Sequence, residues 1–169
     1  MEALKKSFMG YFQEKGVSLS KVSESKYLVN IGGAIVNYNC FISVYEASGY
    51  VLLNTLFPLR VPEEKKADIA KLVLYLNDGE IFGQIVFDVS SGSLSYRSGS
   101  FVQLQNGRES KVYDYLLMFN IGKADNHISL FAQVLYGNLD VDAYCRQEQD
   151  GDSGSKDDDS DFSCDPSLN

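Results

Sequence analysis

The sequence predicts an α+β fold built on an antiparallel five-stranded sheet with flanking helices, and three observations lead there. Residues 34–46 alternate apolar and polar with period two, the mark of a strand with one buried face. Short turns, Ala47-Ser48-Gly49 and Ser90-Ser91-Gly92-Ser93, join neighbouring strands, so hairpins connect them and not helical crossovers. Other segments carry apolar residues at i, i+3 and i+4, the helical period. The predicted order is α-β-β-β-α-β-β-α-α.

The first helix spans residues 3–15, with Leu4, Phe8, Tyr11 and Phe12 on one stripe and Gly16 as its stop. Residues 27–31 form a short strand, and Gly32-Gly33 a turn. In the alternating strand Val36, Tyr38, Cys40, Ile42 and Val44 point one way, while Asn37, Asn39 and Ser43 point the other. Residues 50–57 are the third strand. The second helix starts at Val61-Pro62-Glu63-Glu64, where proline lacks an N–H that the first turn does not need. Ile69, Leu72, Val73 and Leu76 should face the sheet, and Asn77-Asp78-Gly79 ends the helix.

Strands at 80–89 and 94–102 follow, with Ile81, Ile85, Phe87 and Val89 sharing a face. A third helix is expected at 107–120, with Val112, Tyr115, Leu116 and Phe119 inward. Asp125 is placed to cap a fourth, in which Ile128, Phe131, Ala132 and Leu135 form the stripe and Gly137 closes the end. Tyr38, Tyr115 and Tyr136 are expected in the core or at an edge.

Charge divides the chain. Residues 1–139 carry 13 acidic and 13 basic side chains; residues 140–169 carry 10 acidic and 2 basic, the whole of the net charge of −8. Beyond Arg146 only Phe162, Cys164 and Leu168 are apolar, too few to offset the entropy of ordering the segment. The expected division is a folded domain over 1–145 and a disordered acidic tail over 146–169. The acidic balance argues against nucleic-acid binding, which needs clustered Lys and Arg. No apolar run approaches the roughly 20 residues of a membrane span. The N-terminal residues lack the apolar core and cleavage site of a secretory signal. Cys40, Cys145 and Cys164 are odd in number and match neither a disulfide framework nor a zinc site. Reduced thiols without an export signal lead to an expected cytoplasmic location.

The chain offers little chemistry for catalysis. His127, the one histidine, has no identifiable nucleophile or orienting partner and is expected to be a polar residue near a helix start. Glu63 and Glu64 point about 100° apart on a helix, so they do not converge on one substrate; helix-start electrostatics explains them. The aspartates of the tail miss the EF-hand spacing, with Ser155 and Asp161 where Gly and Glu are needed. No phosphate-cradling glycine motif is present. The expectation is therefore no catalytic residue, no metal and no cofactor. One feature points to binding. Ala67, Ala70 and Leu74 form a second apolar stripe on the second helix. Either a neighbouring loop or the N-terminal helix covers it, or a second copy or a client does.

The stretch 51–97 reads VLLNTLFPLRVPEEKKADIAKLVLYLNDGEIFGQIVFDVSSGSLSYR. Its Pro58, the run Val61 to Lys65, the pair Leu76-Asn77, and Gly83, Asp88, Gly92, Tyr96 and Arg97 carry a pattern, which VLYGN at 134–138 closes. The pattern resembles the YbjN family of bacterial sensory transduction regulators. The resemblance implies a fold like that of the type III secretion chaperones, which are commonly dimers, and it supplies no catalytic residues. It implies a non-enzymatic regulatory or interaction module that binds a partner protein; the alternative is a dimeric chaperone that holds an extended client.

Overall fold

The computed structural model describes residues 3–104 and 108–152, with side chains as far as residue 147. Helix α1 (Ala3–Glu14) buries Leu4, Phe8, Tyr11 and Phe12, the four residues its sequence period selects. Gly16, at φ +68°, ends it, a conformation open to glycine at little cost. Strands β1 (Ser20–Lys21), β2 (Lys26–Gly32), β3 (Asn37–Tyr45) and β4 (Tyr50–Arg60) follow as an antiparallel meander. A 3₁₀ turn at Glu63–Lys65 leads into α2 (Lys66–Asp78). Strands β5 (Gly83–Asp88) and β6 (Ser93–Phe101) form a hairpin, then α3 (Glu109–Tyr136) and α4 (Val141–Asp152) complete the order.

The sheet runs β1-β2-β3-β4-β6-β5. It has six strands where the sequence predicts five. The addition, β1, is two exposed residues paired with Tyr27 and Leu28, too short to show a period. The alternation in β3 holds: Tyr38, Cys40, Ile42 and Val44 are buried. With Val51, Leu53 and Phe57 of β4, Leu94 and Tyr96 of β6 and Ile85 of β5, they form the inner face, over which the helices lie. Phe8 of α1 meets Tyr27 of β2 and Tyr113 of α3, while Phe57 meets Phe131. Asn120 of α3 is fully buried, and its amide donates to Ser98 Oγ at 2.7 Å. Among the described residues the opposite sheet face carries no helix.

Several expectations need correction. The helices expected at 107–120 and from 125 are one helix of 28 residues. Gly122 does not break it; a lone glycine costs only about 1 kcal/mol against alanine, less than the burial of Ile121, Ala124 and Ile128 on either side returns. Asp125 thus caps nothing and lies mid-helix. On α3 Tyr113 is buried while Tyr115 is 61% exposed, and Tyr136 also faces solvent. Ile81 and Val89 fall outside β5 and are exposed; only Ile85 and Phe87 keep the expected face. The second helix expected from Val61 begins with a 3₁₀ turn.

Helix α4 crosses the boundary expected at residue 145. Asp140 caps it, its Oδ1 accepting from the amides of Asp142 and Ala143 at 2.9 and 3.1 Å. Val141 and Cys145 are buried, Tyr144 meets Tyr75, and Lys71 pairs with Asp142, which seats α4 on α2. The acidic segment from residue 153, with Cys164 and its run of aspartates, lies outside the described residues.

Candidate functional site

The C-terminal end of α1, the far end of β2 and the middle of α3 surround an open groove of about 550 Å³. Local rules build each wall. The chain leaving α1 turns at Gly16 and lays Val17 along one side. Strand β1 starts at Ser20, opposite Leu28. Past that point, among the described residues, the outer edge of β2 from Val29 to Gly32 has no strand beside it, and Asn30, Ile31 and Gly32 line the groove. Leu117, Met118 and Ile121 of α3 form the opposite wall, with Met118 77% exposed. The lining is mainly apolar.

Two aspartates of α3 fix the geometry. Asp114 Oδ1 accepts from the Tyr11 hydroxyl at 2.6 Å and pairs with Lys15 Nζ at 3.0 Å. The Tyr11 hydrogen bond and Lys15 hold the Asp114 carboxyl below its usual range. Asp125 accepts from the Ala34 amide at 2.6 Å, the Ile35 amide at 3.3 Å and the Tyr38 hydroxyl at 2.8 Å. Burial first, and these carboxylates second, push both tyrosines well above their ordinary range, so they stay protonated donors. Gly33 is required here, since a Cβ would come within 2.6 Å of the Asp125 carboxylate and of the Tyr38 ring. The result is a rigid β2–β3 turn clamped to α3. Both carboxylates are engaged with donors from the chain itself.

His127 does not sit at a helix start. It lies inside α3, is 14% exposed, and places Nε2 3.4 Å from Glu80 Oε1. The same oxygen meets Lys123 Nζ at 2.8 Å, while Glu80 Oε2 accepts from the Tyr96 hydroxyl at 2.8 Å. Burial lowers the imidazole pKa, and Glu80 opposes this only in part. For Glu80 burial acts upward, but bonds from Lys123, Tyr96 and His127 outweigh it and the pKa falls. The cluster ties the α2–β5 connection to α3. Glu63 pairs with Lys66 at 2.6 Å in the first turn leading to α2.

The stripe of Ala67, Ala70 and Leu74 lies on α2, away from the groove. Leu74 is 75% exposed, Ala67 is exposed and Ala70 half-buried. The N-terminal helix does not cover it, because α1 packs on α3. Cys40 is buried against Thr55, Sγ to Oγ1 3.1 Å, and burial pushes its thiol up to about 11. Among the described residues no group of three or more His, Cys, Asp or Glu side chains is arranged to hold a metal ion, and no helix is long and apolar enough to cross a membrane. The groove had no sequence signal, since its walls come from three segments brought together by tertiary packing.

No family model and no curated protein sequence matches the chain. Among solved structures, that of YbjN from E. coli, a candidate transcription regulator, matches with a TM-score of 0.50 at 11% identity, over 87% of this chain and 97% of that one. At that identity the likeness speaks for architecture alone: this chain has a YbjN-like α+β fold.

Proposed function

We propose that the protein is a non-enzymatic regulatory module that binds a partner polypeptide in the groove between α1, β2 and α3. The observation that carries this reading is the free edge of β2 past Leu28, set beside an apolar wall. An unpaired edge offers backbone donors and acceptors to an extended chain, and an adjoining apolar groove takes alternate side chains. The fold shared with a candidate transcription regulator agrees with a regulatory role.

Capture from the native cell by wild type and by Met118→Glu tests it. Met118 is exposed, so the variant keeps its fold. Wild type should hold a stoichiometric partner that the variant loses, and amide exchange at residues 29–32 should slow in the complex. Equal capture by the variant, or unchanged exchange, rejects the groove. A second reading, a dimeric client-holding chaperone, draws on the uncovered stripe of Ala67, Ala70 and Leu74. Leu74→Asp should then turn a dimer into a monomer in sedimentation, and unchanged sedimentation rejects that reading.

A further inference from the structure

The helix-free face of the sheet holds a feature unrelated to the groove. Arg97 of β6 points outward there, flanked by its cross-strand neighbours Asn54 of β4 and Gln84 of β5. It is half-buried, yet its Nε is sealed from solvent with no acceptor among the described residues, and Asn54 Oδ1 beside it is likewise buried without a donor. No carboxylate of the described residues pairs with the guanidinium. A half-buried guanidinium without a carboxylate partner favours an incoming one.

The surroundings define what that acceptor is attached to. Arg97 borders a concavity of about 240 Å³ walled by Tyr50, Leu52 and Phe82. Gly99 keeps it open: a Cβ there would collide with the Tyr50 hydroxyl. Phe101 packs on Tyr50, ring centroids 5.0 Å apart, and Lys26 adds a second positive charge on the same face. A guanidinium pairs best with a planar carboxylate, and the aromatic walls suit an aromatic side chain next to it.

We propose that this concavity is the docking site of the chain's own acidic segment 157–162, with an aspartate on Arg97 and Phe162 against Tyr50 and Phe82. Three observations select this occupant. The segment reads Asp-Asp-Asp-Ser-Asp-Phe, which matches both the charge and the apolar wall. Its attachment point lies toward that edge of the sheet, since α4 rests on α2, α2 rests on the edge strand β5, and Gly83 and Gln84 of β5 line the concavity. Phe162 lies ten residue steps beyond Asp152, a reach of up to about 35 Å, and tethering supplies an effective concentration on the order of millimolar.

A spin label on Cys164 of the full chain tests this, because Cys40 and Cys145 are buried. Amide signals of Gln84, Arg97 and Gly99 should be lost to broadening and recover in Arg97→Gln, in the triple Asp157→Asn, Asp158→Asn, Asp159→Asn variant, and at high salt. The triple variant leaves every described residue unchanged, so it reports even where Arg97→Gln perturbs the sheet. Signals that stay sharp in the wild type, or broadening that both variants retain, overturn the proposal. Broadening between labelled and unlabelled copies in a mixed sample overturns it also, by assigning the face to a second molecule. None of these outcomes bears on partner capture at Met118.

Discussion

The Asn77 side chain acts as a missing strand. Its Oδ1 accepts from the Ile85 amide at 2.7 Å, and its Nδ2 donates to the Ile85 carbonyl at 2.9 Å. Strand β5 is the sheet's edge, and at Ile85 this amide satisfies both groups that a further strand would take. The Leu76-Asn77 pair stands out in the sequence only as part of a family-like pattern; no local rule reveals that it reaches eight residues ahead to an edge strand. Asn77→Ala should destabilise the fold by about 1–3 kcal/mol, as two buried backbone groups lose partners, while Asn77→Asp keeps an acceptor for the amide and should cost less. Urea denaturation of the two variants measures this. His127 gives a pH prediction. Burial depresses its pKa in the fold below 6.5, so across the imidazole range the unfolded chain binds more protons. Stability should therefore fall as pH drops below about 6.5, and fall again below the ordinary glutamate value of 4.5, because the pKa of Glu80 is also depressed. Melting temperature against pH checks the sign, and His127→Gln should flatten the first decline while the second, held mainly by Lys123 and Tyr96, persists.

At the level of elements, α1 shows how far periodicity reaches and where it stops. Its four buried residues follow from spacing, but its N-terminal amides, Leu4 and Lys5, donate at 2.8 and 3.0 Å to the carboxylate of Glu46, from the β3–β4 turn. That cap comes from a residue some forty positions away, and no sequence window contains it. Gly10 lies inside α1 with nothing near the position of a Cβ, so Gly10→Ala should stabilise the fold by about 0.5–1 kcal/mol, visible as a raised denaturant midpoint. Helix α4 was invisible for a different reason. Its apolar residues are few, and they acquire a face only because α2 offers Lys71 and Tyr75 to Asp142 and Tyr144. Asp140→Ala should remove its cap at a cost of about 1 kcal/mol, and amide exchange should rise in residues 141–147 before it rises elsewhere.

At the scale of the whole molecule, the described residues form two layers, with their helices on one sheet face and none of them on the other. Leu74 lies outside the core at 75% exposure, so Leu74→Asp should shift stability by less than about 0.5 kcal/mol; a larger loss in thermal unfolding would place it in packing that forms only in an assembly. The sequence by itself determined the antiparallel α+β class, the inward sets of α1 and β3, and the hairpin turns, because each is written in contacts within a few residues. Only the tertiary structure decided that residues 109–136 are one helix, that Asp125 clamps a turn instead of capping a helix, and that no described strand pairs with the end of β2 beside an apolar wall. Those features depend on which distant surfaces meet, and burial of a shared face outweighs local preferences of about 1 kcal/mol per residue.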